Sequence, residues 1–505
     1  MKKYLLAHDL GTSGNKATLY STDGKLVSSK VYAYDTHFFN TNWAEQDPDM
    51  WWRAVAHTTK AILEDVDRKD ILAVSFSGQM QGCVCVDREG IHLRPAIIWA
   101  DQRAQIETQE LIKEVGIQKF YKITGHRPSP AYSIEKLMWI KNNEFDVYQK
   151  TYKMLLCKDY MVLKLTGKYV TDYSDASGTN ALDLNTRQWS EEIVKAAKID
   201  RDKLPMLIPS TQIVGGVTRE AARETGLAEG TPIVIGGGDG ACAAVGAASI
   251  NAGDAYGCIG SSSWIALTVD KPIYDDQMRT FNFAHIVPDL IMPCGTMQTG
   301  GASYSWLKNQ LALYEVSEAK RLGISPYTLI NDLAKQSPVG ANGLIYLPYL
   351  LGERSPRWNV NAKGAFIGLK MESQREDIFR SVLEGVAFNM NTILNCFKKH
   401  TAIKEMIVIG GGAKGELWRQ IMADIYGVPI LKPNFLEEAT SMGAAIAAGV
   451  GIGVFENFKV INQFLKMEDK IYPIPENQEI YTRMYPIFEQ CYTSLVDVYD
   501  QLATL

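Results

Sequence analysis

Short apolar runs alternate along this chain with segments in which apolar residues recur every three or four positions, the pattern of an α/β chain. The N-terminus gives a strand "KYLLAHD", a glycine turn "LGTSG", a second strand "KATLYST", a tight turn at Asp23-Gly24 and a third strand "KLVSSKVYAY". An Asp-Gly pair between two alternating runs is a strong hairpin signal. The next segment, "DPDMWWRAVAHTTKAILEDV", is predicted to be a helix capped by Asp47, with Pro48 in its first turn and Trp51, Val55, Thr58 or Thr59 and Ile62 on one face. The second half opens similarly, because "GDAYGCIGSSSWIALTVDKPIY" reads as strand, glycine-and-hydroxyl turn, strand. Two comparable hairpins half a chain apart predict two related lobes. The boundary is placed at residues 1–247 and 248–505, after the small-residue helix that follows Asp239.

The chain has 505 residues, 46% hydrophobic and 22% charged, with a net charge of −5. That balance leaves no basic footprint for nucleic acid or an anionic membrane, and favours small-molecule chemistry. The four residues Tyr4 to Ala7 are too few for a signal-peptide apolar region, and Met442 to Phe455 falls short of the roughly 20 residues that span a bilayer. A cytoplasmic protein is expected. The eight cysteines include no C-x-x-C pair and read as reduced core residues. His8 reads as a hydrogen-bonded core histidine.

Five segments carry candidate chemistry. In "DLGTSGNK", residues 9–16, successive backbone N–H groups can form an anion-binding concavity, and Asp9 can hold a metal that neutralises phosphate charge. The turn Gly260-Ser261-Ser262 matches it from the second half; neither has the spacing of a P-loop. "GGGAKG", residues 410–415, formally satisfies G-x-G-x-x-G, but the following strand "PILKPN" ends without a ribose-binding acid, so a dinucleotide site is disfavoured. "GQMQG", residues 78–82, places two amides among glycines, a set suited to a polyol, and Trp99, Asp101 and Arg103 could line the same pocket. Asp239 stands in "IGGGDGACAAVG" with no basic neighbour in sequence.

Together "DLGTSGNK", "WAEQDP", "GQMQG", "RPAIIWADQR", "KDYMVLKLTG", "DYSDASGT", "GGGDGACAAVG", "LPYLLGERSPRWNVNAKGAFIGL" and "GGGAKGELWRQIMADI" resemble the FGGY carbohydrate kinases in content and order, most closely the xylulokinases among them. The resemblance implies two actin-like, ribonuclease-H-like lobes with ATP in the cleft and a sugar deeper, against the N-terminal lobe. It implies Asp9 near Mg2+, and Thr12, Ser13 and Lys16 near the γ-phosphate. Gly260, Ser261 and Ser262 would form a second phosphate loop, with Gly301 also on the nucleotide side and Gly411, Gly412 and Ala413 at the adenosine. Gln79, Met80, Gln81, Trp99 and Asp101 would meet the sugar, and Asp239 would be the catalytic base. Phosphorylation of a ketopentose, D-xylulose to D-xylulose 5-phosphate, is the leading expectation, with L-xylulose, gluconate or a tetrose-derived polyol as alternatives. A homodimer is expected from the family alone. A chaperone-like or filament protein on the same scaffold is the rival of another class. Two positions depart from the xylulokinase pattern: Gln81 replaces a histidine, and Ser263 replaces a glycine after the second phosphate loop.

Overall fold

The computed structural model describes residues 3–505 and turns the first apolar runs into an antiparallel meander. β1 (Tyr4–Leu10), β2 (Gly14–Ser21) and β3 (Leu26–Ala33) pair in chain order. The Asp23-Gly24 turn closes as expected: Gly24 adopts φ 81°, which costs glycine nothing, and its N–H donates to the Ser21 carbonyl at 2.8 Å. β4 (Ile71–Gly78) lies parallel to β1, β6 (Pro232–Gly238) parallel to β4, and β5 (Ile213–Gly216) antiparallel to β6. The resulting order is β5-β6-β4-β1-β2-β3. The central strands are near-continuous apolar runs because both faces of the sheet are covered. On one face lies α1 (Pro48–Ile62), whose start follows the sequence: the Asp47 carboxylate accepts the Asp49 N–H at 2.9 Å.

The second half builds the same sheet again. β7 (Ala255–Ile259), β8 (Ser263–Leu267) and β10 (Ile291–Met297) form the meander, with β9 (Phe281–Ala284) added at its edge. β11 (Met406–Ile409) and β12 (Ile430–Pro433) run parallel to β7, and β13 (Met467–Ile471) is antiparallel to β12. The order β10-β8-β7-β11-β12-β13 therefore repeats the spatial order and directions of β3-β2-β1-β4-β6-β5, and differs only in that the edge strand β13 follows β12 in the chain whereas β5 precedes β6. Two lobes of one topology are the expected architecture.

Helix α2 (Cys157–Thr166) supports the first sheet, while α3 (Asp239–Gly246) continues directly from β6. In the second half lie α4 (Gly301–Gln310), α5 (Arg375–Lys398), α6 (Glu416–Tyr426), α7 (Ala439–Gly451) and α8 (Pro475–Leu502). α7 packs against α3 and also against β1, β4 and β6, so a helix from the second half lies on the first sheet. Its contact with α3 is backbone to backbone: a Cβ on Gly443 would fall 2.0 Å from the Cys242 carbonyl oxygen, and one on Gly246 would fall 1.9 Å from that of Ala439. Only small residues permit this approach. No helix among the described residues is long and apolar enough to cross a membrane. All eight cysteines are free, six of them buried. His8 is buried between Asn15 and Thr59, and burial lowers its pKa to about 4, so it is a neutral core residue as expected.

Substituting Gly443 by valine is expected to force α3 and α7 apart and to lower stability by ~1–3 kcal/mol, measured as a fall in the denaturant midpoint. An unchanged midpoint would show that the helices can separate freely.

Candidate active site

Candidate residues sit on turns at the carboxyl ends of β1, β7 and β11, of which the turn after β1, with Thr12, Ser13 and the flanking Asp9 and Lys16, lines neither of the two cavities described below. β1 ends at Asp9 and Leu10, and the turn to β2 holds Gly11, Thr12 and Ser13. This turn is fixed from behind by the Tyr34 hydroxyl, which donates to the Gly11 carbonyl at 2.6 Å, and by Gln46, whose Nε2 donates to the Thr12 carbonyl at 2.7 Å. The Trp99 indole N–H donates to Thr12 Oγ1 at 2.9 Å. The equivalent turn after β7 holds Gly260, Ser261 and Ser262, and it is tied to α4 because Gly301 N–H donates to the Gly260 carbonyl at 2.7 Å. A side chain at Gly301 would place its Cβ 2.4 Å from that same oxygen, so glycine is required there.

Met80, Gln81, Trp99, Asp239 and Ser262 line one cavity of about 170 Å³, joined by Tyr132, Trp264 and Arg354. Gly260, Ser261, Gly301, Gly411 and Gly412 line a second cavity of about 580 Å³, together with Tyr304, Tyr327, Asn331 and Trp418. The loop 260–262 contributes to both cavities, so they adjoin across it. Tyr304 sits 5.3 Å, centroid to centroid, from Trp418 and 4.9 Å from Tyr327, and its hydroxyl donates to Asn331 Oδ1 at 2.6 Å. The 410–415 turn packs onto β7, with Gly412 against Ile259, and Ala413 is buried beneath it.

Carboxylates dominate the junction. Asp9 accepts from Thr440 Oγ1, at the start of α7, at 2.6 Å. Burial raises its pKa against the opposing pull of Thr440, Lys16 and Ser77. Lys16 Nζ donates to the Glu437 carbonyl at 2.6 Å, a further link from the first hairpin to the segment before α7. Asp239 is half-buried at the first position of α3. Burial first, and the charge of Asp9 second, push its carboxyl up to about 7. A carboxylate whose pKa lies near neutrality suits proton acceptance at physiological pH.

The structure does not bring every candidate into the cavities. Asp101 is fully buried in a bidentate pair with Arg103 at 2.7 Å, and its other contact is the Ala44 N–H at 2.6 Å. Arg103 also meets Glu45 at 2.7 Å and lies 3.9 Å over the Trp43 ring, so this charge cluster is structural support. Gln79 is likewise buried: its Nε2 donates to Gln46 Oε1 at 2.8 Å, so it reaches the first turn through Gln46 instead of lining the 170 Å³ cavity. Ser263 is inside β8 with its hydroxyl against Gly300, where a Cβ would lie 1.8 Å from it; the serine is accommodated by the missing side chain opposite. Tyr132, Trp264 and Arg354, by contrast, escape sequence reasoning, since nothing adjacent in sequence separates an aromatic cavity wall from core or a loop arginine from surface.

Comparison with known proteins now decides the family. The model for the N-terminal domain of the FGGY family of carbohydrate kinases matches residues 4–246, and that for its C-terminal domain matches 255–452. This chain belongs to that family. The kinase is 34% identical over 492 residues to a xylulose kinase of Staphylococcus xylosus, covering 97% of this chain and 99% of that one. It is 32% identical over 505 residues to a gluconokinase of Bacillus subtilis, covering 100% of this chain and 98% of that one. Among solved structures, a gluconate kinase from Lactobacillus acidophilus superposes with a TM-score of 0.92 at 28% identity, covering 99% of this chain and 100% of that one. A ligand-bound xylulose kinase from the same organism gives 0.92 at 29%, with the same coverage. The protein is thus an ATP-dependent carbohydrate kinase of actin-like fold, and the chaperone and filament readings fall away.

In this kinase Trp99 both walls the smaller cavity and holds Thr12. Trp99→Phe keeps the ring and removes the indole donor; losing one hydrogen bond of ~1 kcal/mol is expected to lower kcat/KM for sugar phosphorylation about fivefold. A steady-state assay showing no change would mean that Gln46 and Tyr34 suffice to hold the turn.

Proposed function

We propose that the kinase transfers the γ-phosphoryl group of ATP to a hydroxyl of a ketopentose, D-xylulose giving D-xylulose 5-phosphate, in the cytoplasm where ATP is supplied. The observation that carries this reading is the adjacency of the two cavities across the loop 260–262, with Asp239 on the wall of the smaller one. The smaller cavity takes the sugar and the larger the nucleotide. Their shared loop is then where the phosphoryl group passes.

The residues fit the expected ligands. Backbone N–H groups of the turns at 11–13 and 260–262 suit phosphate oxygens, and the open surface at Gly411, where a Cβ would touch nothing, leaves room for the adenosine. Asp9 and Asp239 lie near enough for the charge of Asp9 to act on Asp239, and carboxylate oxygens are the hard donors that suit Mg2+. When bound, that ion supplies neutralisation of phosphate charge. Asp9 is its proposed ligand. Thr12, Ser13 and Lys16 would face the γ-phosphate, while Met80, Gln81 and Trp99 orient the sugar. Asp239 takes the proton from the attacking hydroxyl, which needs an approach of about 3 Å. The lobes 1–247 and 248–505 would close to exclude water, which would otherwise compete with the sugar for the phosphoryl group.

Asp239→Asn preserves shape and removes the base. It is expected to bind ATP normally by calorimetry while phosphoryl transfer falls about 10²- to 10⁴-fold; turnover within tenfold of the parent would overturn the assignment. Because the working form is the carboxylate and its pKa is raised to about 7, kcat/KM for the sugar should climb as pH rises through 7 and level off above it. A pH profile whose acidic limb falls at the ordinary carboxylate value near 4 would contradict this.

One observation favours gluconate as a second reading. Arg354 lines the smaller cavity, has no acid within ion-pair distance among the described residues, and its buried Nε lacks a partner. Its sequence neighbour Glu353 is pushed up to about 8 by burial and does not neutralise it at pH 7. A substrate carboxylate would pair with that guanidinium. Measuring kcat/KM for D-xylulose and D-gluconate in the parent and in Arg354→Met separates the readings. If the acceptor is gluconate, the loss falls on gluconate by at least tenfold; a parent that turns over only D-xylulose removes this second reading.

A further inference from the structure

The wall of the smaller cavity depends on a lysine that does not line it. Lys136, in the helix Ser133–Asn143, is wholly buried and has no carboxylate within ion-pair distance among the described residues. Its Nζ instead donates to two backbone carbonyls, Gln81 at 2.7 Å and Ala131. Those residues belong to the two separate segments that wall the cavity, Met80 and Gln81 on one side, Ser129 to Tyr132 on the other. The preceding residue, Glu135, holds the second segment as well, accepting the Ser129 N–H at 3.2 Å and the Asn180 amide at 2.9 Å. Among the described residues, Lys136 supplies the hydrogen bonds that join this segment to the first.

The first segment needs such a tie. Gln81 adopts φ 67°, a left-handed conformation that a side-chain-bearing residue holds only when its surroundings impose it. Gly178 leaves the space its side chain occupies: a Cβ there would lie 3.1 Å from Met80 Cε and 3.6 Å from Gln81 Cγ. Burying an amino group out of contact with any carboxylate is unfavourable even where, as here, the charges of Asp101 and Glu135 partly offset the cost, and an apolar chain of the same length would pack without that penalty. Burial lowers the Lys136 pKa to about 7, and both its forms can supply the two donors used. The amine is therefore retained for the geometry it imposes.

We propose that Lys136 is a positioning residue for the acceptor, which sets the distance and angle between the Gln81 and Ala131 walls without touching the sugar. The inference rests on reading this cavity as the acceptor site. Lys136→Met is expected to raise the KM for the acceptor, assayed with D-xylulose and with D-gluconate, by tenfold or more, while the KM for ATP stays within twofold. Amide hydrogen exchange, which needs no substrate, should accelerate at residues 79–82 and 129–133 and remain unchanged at 259–262. Equal rises in both KM values, or a KM for the acceptor that does not move, would overturn the proposal, as would exchange unchanged at 79–82. Should the methionine variant fail to fold, Lys136→Gln, which keeps a shorter donor, is expected to show the same split at smaller amplitude. If the parent phosphorylates neither sugar, the acceptor reading fails, and exchange alone decides whether Lys136 holds the two segments.

Discussion

The backbone contact between α3 and α7 is the constraint on which the site depends. Each helix starts at the end of a central strand or the loop after one, and each begins beside the cleft: α3 with Asp239, α7 with Thr440 next to Asp9. Gly246 and Gly443 let the two helices cross with the carbonyls of Ala439 and Cys242 in van der Waals reach of glycine. Larger residues would separate the helices and, with them, Asp239 from Thr440, the hydroxyl partner of Asp9. The alanine-rich composition of both helices, which by itself says little about chemistry, is thus the condition for bringing Asp239 of the first lobe and Thr440 of the second to the same place.

Support for Asp239 continues below the cleft. Lys158 is buried among Asp159 at 2.6 Å, Asp172 at 2.9 Å and Asp175 at 3.4 Å. Asp172 accepts from the hydroxyls of Ser174 and Ser210, and the Ser174 hydroxyl in turn accepts the Gly238 N–H at 3.0 Å. A line of polar contacts therefore runs from the buried lysine to the residue just before Asp239. Breaking a buried ionic network by removing one partner is strongly destabilising, so this cluster keeps the strand end rigid. The acids at the cleft have no such partner in contact. Burial raises the carboxyls of Asp9 and Asp239, as it does those of Asp159 and Asp175, but at the cleft no lysine among the described residues stands in contact to offset it.

Much of this was legible in the sequence, and the reason is local. Asp-Gly at 23 and 24, the Asp47 cap and the duplicated glycine-hydroxyl turns are encoded by adjacent residues, so their geometry follows from short-range rules. Asp239 was visible because a carboxylate among glycines has no bland explanation. Asp101 and Gln79 were misplaced because their partners, Arg103 with Glu45 and Trp43, and Gln46, are settled by tertiary packing. Arg354 and Lys136 were missed for the same reason in reverse: an arginine in a loop and a lysine on a helix look like surface residues until the fold buries them out of ion-pair contact with the acids near them. The parallel strand pairing of β4, β1 and β6 and the seat of α7 on the opposite lobe are long-range facts with no local signal.

The central claim is that Asp239 receives the proton of the attacking hydroxyl at the point where the two cavities meet. A crystal structure with a non-hydrolysable ATP analogue and the preferred acceptor tests it directly. The account predicts the acceptor in the smaller cavity with one hydroxyl within about 3 Å of an Asp239 carboxylate oxygen, facing the terminal phosphate at the loop 260–262. An acceptor seated elsewhere, or a reacting hydroxyl directed to another side chain with Asp239 out of reach, would contradict it.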